Sequence, residues 1–274
     1  MFNLLLILGL ILTGLGSCST QEQGPNPISK INSSQLKPIL TDTKMVKVTG
    51  GKYLPFYSEN DSLVQVKDFW IDIRPVTNAE FLKFVQANPQ WRRSQVKRLY
   101  ADTTYLRDWV ADTELPKDAL PDAPVTFVSW FAAKAYADAV GKRLPTLDEW
   151  EYVAMADADE PNARGKKSYN DALINLYMVK NRQFNQVMQS KPNYWGIYNL
   201  FDLIWEWTDD FNSTLVTGDS RGGEYGDKTL ACAGSATSAT DVMNYAAFIR
   251  FGLRSSLKAN YTVGNLGFRC AKDF

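Results

Sequence analysis

The stretch "GIYNLFDLIWEWTDDF", Gly196 to Phe211, sets Glu206 between Trp205 and Trp207 and follows it with Asp209 and Asp210. A core would not ordinarily keep that carboxylate, and a solvated loop would not ordinarily keep those indoles. Something must hold Glu206. Working outward, the segments before it carry two helix starts, "TNAEFLKFV" and "TLDEWEYVA", and the segment after it runs to the apolar "GNLGFRCAKDF" at the C-terminus.

The chain has 274 residues, 22% charged and 45% hydrophobic, with no formal net charge. Such a composition is that of an ordinary globular domain. A neutral chain without a long basic run argues against nucleic acid, because phosphate binding needs clustered lysine and arginine. The basic cluster "WRRSQVKR", Trp91 to Arg98, reads more readily as a solvated face. Aromatic residues reach 13% and suggest a loop-rich fold in which large rings supply the burial. There is no histidine. That excludes Ser-His-Asp and Cys-His nucleophiles, His-ligated zinc, the two-His iron site and a proximal-His haem. A metal here needs oxygen ligands or thiolates.

The N-terminus "MFNLLLILGLILTGLGSCST" has an apolar run, Leu4 to Leu15, that is short for a membrane span and suited to a signal-peptide core. It ends in "LGSC", which resembles a bacterial lipobox with Cys18 as the acylated residue. Residues 1–17 are then the signal peptide, and Ser19 after the cysteine favours the outer membrane. The next segment is rich in Ser, Gln, Asn and Pro and reads as a flexible tether over residues 18–44. The folded domain is expected over 45–274.

"MVKVTGGKYLPF" reads as strand, Gly-Gly turn, strand, and "VQVKDFWIDIRPVT" continues the alternation. Thr77 with Glu80, and Thr146 with Glu149, are capping boxes. A further helix starts at Ser129 and closes at Gly141. Asp148, Glu149 and Glu151 read as charges favoured by a helix N-terminus. Residues 158–193 read as loop with short turns, and "LACAGSATS" and "GNLGFRCAKDF" as short strands. The pattern is one α+β domain with few long elements.

Four blocks in order, "PVTNAEFLKFV", "PVTFVSWFAAKAYADAVGKRLPTLDEWEYVA", "GIYNLFDLIWEWTDDF" and "GNLGFRCA", resemble the formylglycine-generating enzyme (sulfatase-modifying factor) domain family. The resemblance implies an irregular, C-type-lectin-like α+β fold. It also implies a calcium ion held by the side chains of Asn199 and Glu206 and the carbonyls of Asp202 and Ile204, although the family's Gly-Asn is Asp202-Leu203 here. The other reading is that Glu206 accepts loop amide hydrogen bonds with no ion.

The family's oxidase chemistry uses two copper-binding cysteines, whose positions fall at Ser238 and Ala246. A hydroxyl and a methyl cannot hold Cu(I), so no copper is expected. The family's histidine-iron chemistry is excluded too. Cys232 and Cys270 are candidates for a disulfide in an oxidising envelope, for two free buried thiols, or for a two-thiolate metal site.

The expectation is a lipid-anchored envelope protein with a catalytically inactive domain, acting as a binding or scaffold component. It is similar in architecture to lipoproteins of gliding-motility and secretion machinery in Bacteroidota. Its partners are the membrane, through the anchor, and envelope proteins, with no nucleic acid. The alternatives are an enzyme of altered chemistry, using Ser238 or Tyr245, and a glycan-binding module.

Overall fold

Strand alternation and capping chemistry lay down most of the elements. The computed structural model describes residues 36–56, 58, 61–179, 185–212 and 245–274. The strands β1 (Met45–Val48), β4 (Phe69–Asp72) and β7 (Ala271–Asp273) form an antiparallel sheet in the order β1-β4-β7, with Val48 opposite Phe69 and Ile71 opposite Ala271. β2 (Gly51–Tyr53) pairs with β3 (Val64–Val66), and β5 (Trp205–Glu206) runs parallel to β6 (Leu266–Gly267). The Gly-Gly between β1 and β2 does not fold them onto each other. A Cβ at Gly50 would stand 2.2 Å from the Val66 carbonyl oxygen, so glycine here permits two backbones to meet.

The capping boxes form as expected. In α1 (Asn78–Ala87) the Thr77 hydroxyl accepts from the Glu80 amide, while the Glu80 carboxylate accepts from the Thr77 amide. Phe81, Phe84 and Val85 fall on the buried face. In α2 (Trp130–Ala139) Ser129 caps the start. At the other end Gly141 takes φ +69°, and the amides of Gly141 and Lys142 return to the carbonyls of Asp138 and Ala137. That left-handed turn is what the sequence asked of a glycine. The third helix, α3 (Leu147–Ala154), has the Thr146–Glu149 box, and the Asp210 carboxylate accepts from the Leu147 amide at 2.6 Å. Asp210 therefore ties the loop after Trp207 to the start of α3.

Two helices depart from the sequence reading. α4 (Lys167–Met178) lies within the region read as loop. It has no side-chain cap and buries only Leu173, so it carries little local signature. It packs instead against α5 (Tyr245–Ser256), a helix in the C-terminal third where strands were expected. Of the expected short strands, those of "GNLGFRCAKDF" are present as β6 and β7; "LACAGSATS" lies outside the described residues.

The tether also ends earlier than residue 44. The Lys37 amide donates to Asn88 Oδ1, the Ile39 amide donates to the Ala139 carbonyl, and Thr41 and Thr43 hydrogen-bond the buried Glu80 carboxylate. A chain whose amides are satisfied this way is part of the domain.

One hydrophobic core lies between the three-stranded sheet and α3, where Val48, Phe69, Ile71, Trp150, Val153 and Ile197 pack together. Gly267 marks the tightest approach elsewhere, since a Cβ there would stand 2.3 Å from the Val125 carbonyl oxygen and 2.7 Å from Ile204 Cδ1. Gly267→Ala is expected to cost about 1–3 kcal/mol by overpacking, read as a lowered urea midpoint.

Candidate functional site

Glu206 is held by an arginine. Its carboxylate accepts from Arg269 Nε and Nη2, both at 2.8 Å, and from the indole Nε1 of Trp150 at 2.7 Å. Arg269 is wholly buried and spends its remaining donors on carbonyls, Nη1 on Asp72 and Nη2 on Tyr198 and Asn199. The flanking tryptophans have separate tasks. Trp207 is fully buried and donates to the Val128 carbonyl, whereas Trp205 is half-buried against Tyr177.

This arrangement does not fit a calcium ion ligated by Glu206. Both carboxylate oxygens face a guanidinium that already supplies the positive charge, and a cation beside it would be repelled. Asn199, at φ +55°, is also engaged: Oδ1 accepts from the Met188 amide, and Nδ2 donates to Ser190 Oγ and to both oxygens of Asp202. Asn199 and Asp202 thus come together, Glu206 turns to Arg269, and the Ile204 side chain is buried with Val187 and Leu203. Among the described residues no cluster of three His, Cys, Asp or Glu side chains could hold a metal.

A second buried ion cluster lies beside the first. Glu151 accepts from Arg250 Nε and Nη2 and from Arg254 Nη1, and Arg250 Nη1 donates to the Tyr177 hydroxyl. Burial would raise the Glu151 pKa, but the two guanidiniums hold it down at about 2. Glu151 is therefore more than a helix-dipole charge. Trp150 joins the two clusters, with its N–H on Glu206 and the guanidinium of Arg254 4.7 Å from its ring centroid. Arg250 and Arg254 sit four apart on one face of α5, a spacing visible in the sequence once that segment is read as helix. Arg269 could also have been suspected, since an arginine between Phe268 and Cys270 in an apolar run needs a buried partner.

Of the two degenerate family positions, Ala246 is buried in the first turn of α5. Ser238 lies outside the described residues, as do Cys18 and Cys232. Tyr245 is half-exposed and stacks on Phe248. The Cys270 thiol is free and fully buried, and Cys232, its candidate disulfide partner, lies outside the described residues. Burial pushes its pKa well up, and the neighbouring Asp72 carboxylate adds to this, so it is a poor thiolate ligand. Asp72 is itself enclosed, paired with Lys142 Nζ at 2.5 Å and accepting from the Cys270 amide.

With that geometry in view, comparison with known proteins defines the class. The model of the sulfatase-modifying factor enzyme 1-like domain matches residues 32–274, and the chain belongs to that family. It is 30% identical over 257 residues to the formylglycine-generating enzyme of Streptomyces coelicolor, covering 77% of this chain and 80% of the relative. It is 26% identical over 276 residues to the "Inactive C-alpha-formylglycine-generating enzyme 2" of Bos taurus, covering 83% and 87%. A serine/threonine-protein kinase pkn1 of Chlamydia caviae is 26% identical over 187 residues, but the chain spans only 29% of its length. The solved structure of PvdO from Pseudomonas aeruginosa has a TM-score of 0.46 at 18% identity, over 84% of this chain and 94% of that one.

Two outcomes are expected. Melting curves with calcium and with chelator superimpose, and Glu206→Gln lowers stability by roughly 3–5 kcal/mol under both conditions, because it leaves Arg269 without its counter-charge. Stability also falls in acid. Glu80 and Glu151 are both held at about 2 against an ordinary 4.5, for Glu80 because Arg74 outweighs its burial. Their contribution is present above pH 4.5 and is lost as the pH falls toward 2, at roughly 3 kcal/mol for a fully buried group such as Glu151. Asp72, raised by burial to about 6, works in the opposite sense, and its contribution is lost as the pH rises through 6. Urea midpoints across this range, for the wild type and Asp72→Asn, separate the two trends.

Proposed function

We propose that this is a lipid-anchored cell-envelope protein whose domain has lost the family's copper chemistry and serves as a binding or scaffold component. The observation that carries the reading is Ala246, a buried methyl at a family cysteine position, beside an ion cluster in which Arg250 and Arg254 are already committed to Glu151. Ala246 offers no soft ligand for Cu(I), and the Glu151 carboxylate is already engaged by two guanidiniums. The sequence puts Ser238 at the other position. The lipobox ending in Cys18 supports anchoring, and Ser19 supports the outer membrane. Assignment to a gliding or secretion machine in Bacteroidota rests on that lipoprotein architecture together with the family.

A surface suited to a partner is a groove of about 500 Å³ lined by Leu106, Trp109, Pro116, Leu120 and Phe127, with Asp108 and Asp118 at its edge. Leu106 and Phe127 both have positive φ, at 47° and 53°, and the Leu106 amide donates to the Phe127 carbonyl. Two non-glycine residues in that conformation are costly and tend to occur where a surface is shaped for use.

The purified chain, given Cu(I), oxygen and a Cys-x-Pro-x-Arg peptide, is expected to form no aldehyde. Aldehyde would overturn the inactive reading in favour of an enzyme with altered chemistry. In membranes, a photocrosslinker at Leu120 is expected to trap one defined envelope protein, and loss of that product in Asp118→Lys would place the contact in the groove.

A further inference from the structure

Although the chain carries no net charge, the surface lobe between α1 and α2 is polarised. From Arg92 to Arg107 there are five basic residues, Arg92, Arg93, Lys97, Arg98 and Arg107, against one acidic residue, Asp102. From Asp108 to Asp122 the balance reverses, with Asp108, Asp112, Glu114, Asp118 and Asp122 against Lys117. The acidic half edges the groove through Asp108 and Asp118. The basic half carries a large apolar side chain in water: Leu99 is 71% exposed, directly after Lys97 and Arg98.

The basic half is also where the N-terminal chain reaches the domain. The Lys37 amide and carbonyl are both hydrogen-bonded by the side chain of Asn88, which ends α1 and leads through Pro89–Trp91 into the basic segment. Arg92 folds back to the carbonyls of Val85 and Gln86, so the segment stays against this end of α1. Its one internal acid is already engaged: Asp102 accepts from Thr104 and Thr262, while Asp112, from the acidic half, accepts from the amide and hydroxyl of Ser94. Among the described residues Arg92, Arg93 and Arg98 make no ion pair and bond backbone carbonyls, whereas Arg107 lies 3.6 Å from Asp108.

We infer that the face formed by Arg93, Lys97, Arg98, Leu99 and Arg107, all exposed, rests on an anionic lipid surface. Exposed cations flanking an exposed leucine are the chemistry of an interfacial contact, the charges meeting headgroups and the side chain entering the acyl boundary. Each basic residue near an anionic membrane strengthens binding roughly fivefold. The inference draws on the lipid anchor only for local concentration. Lys37 lies 19 positions after Cys18.

The test uses the full lipidated chain in vesicles and follows trypsin cleavage after Lys97 and Arg98. Vesicles with about a third phosphatidylglycerol should slow that cleavage roughly tenfold relative to phosphatidylcholine alone. Cleavage at Lys117, on the acidic half, should be unchanged, and high salt should abolish the protection. Arg107→Glu, which leaves both cleavage sites in place, should reduce the protection severalfold. Equal rates on the two vesicle types, or protection indifferent to salt, overturn the inference. Flotation separates it from the anchor: a chain that floats with both vesicle types yet shows no selective protection retains the anchor and loses the lipid-facing surface. A chain that floats only with anionic vesicles retains the surface and loses the anchor, and one that floats with neither loses both.

Discussion

A guanidinium removed from water must find its anion and its acceptors inside the protein, and Arg269 is the side chain on which that requirement falls most heavily. It is wholly buried, pairs with Glu206 through two hydrogen bonds, and uses the rest of its fork on carbonyls from β4 and from residues 198–199. One side chain thereby holds the end of β4, the central strand of the three-stranded sheet, the loop before β5, and β5 itself. Removing either partner would strand a charge in a medium that solvates it poorly. The Trp-Glu-Trp stretch is the receiving half of that device, its carboxylate turned to the arginine and Trp207 packed beneath.

Trp150 extends the device to a second cluster. Its indole N–H completes the coordination of Glu206, and its ring lies under Arg254, which with Arg250 neutralises Glu151. The Trp-Glu block, the LGFRC block and the arginines of α5 are thus joined through charges that satisfy one another. The family to which the chain belongs includes a relative described as inactive.

Much of the fold was legible because its signals are local. Thr77–Glu80, Thr146–Glu149, Ser129 and Gly141 specify helix ends within a few residues of chain, and alternation marks β1 and β4. What could not be read is what depends on distant partners. α4 lacks a side-chain cap and gains its place by packing on α5. Residues 37–43 look like linker by composition, yet their hydrogen bonds go to Asn88, Ala139 and Glu80. The candidate site divides in the same way. Glu206 announced that something must hold it, but its partner lies 63 positions away, and a carboxylate looks the same in sequence whether it awaits a calcium ion or an arginine.

The position of Arg269, far along the chain from its partners, bears on how the molecule comes to be folded at all. Its contact with the Asp72 carbonyl closes a loop of 197 positions, and β7, which completes the sheet, begins two residues later. Pairings of such long range carry a large entropic cost before they are rewarded, and they make folding slow. During synthesis, Glu206 emerges long before its counter-charge, and the sheet lacks an edge until the last few residues are free. The chain therefore has no route to a finished core from its N-terminal portion alone.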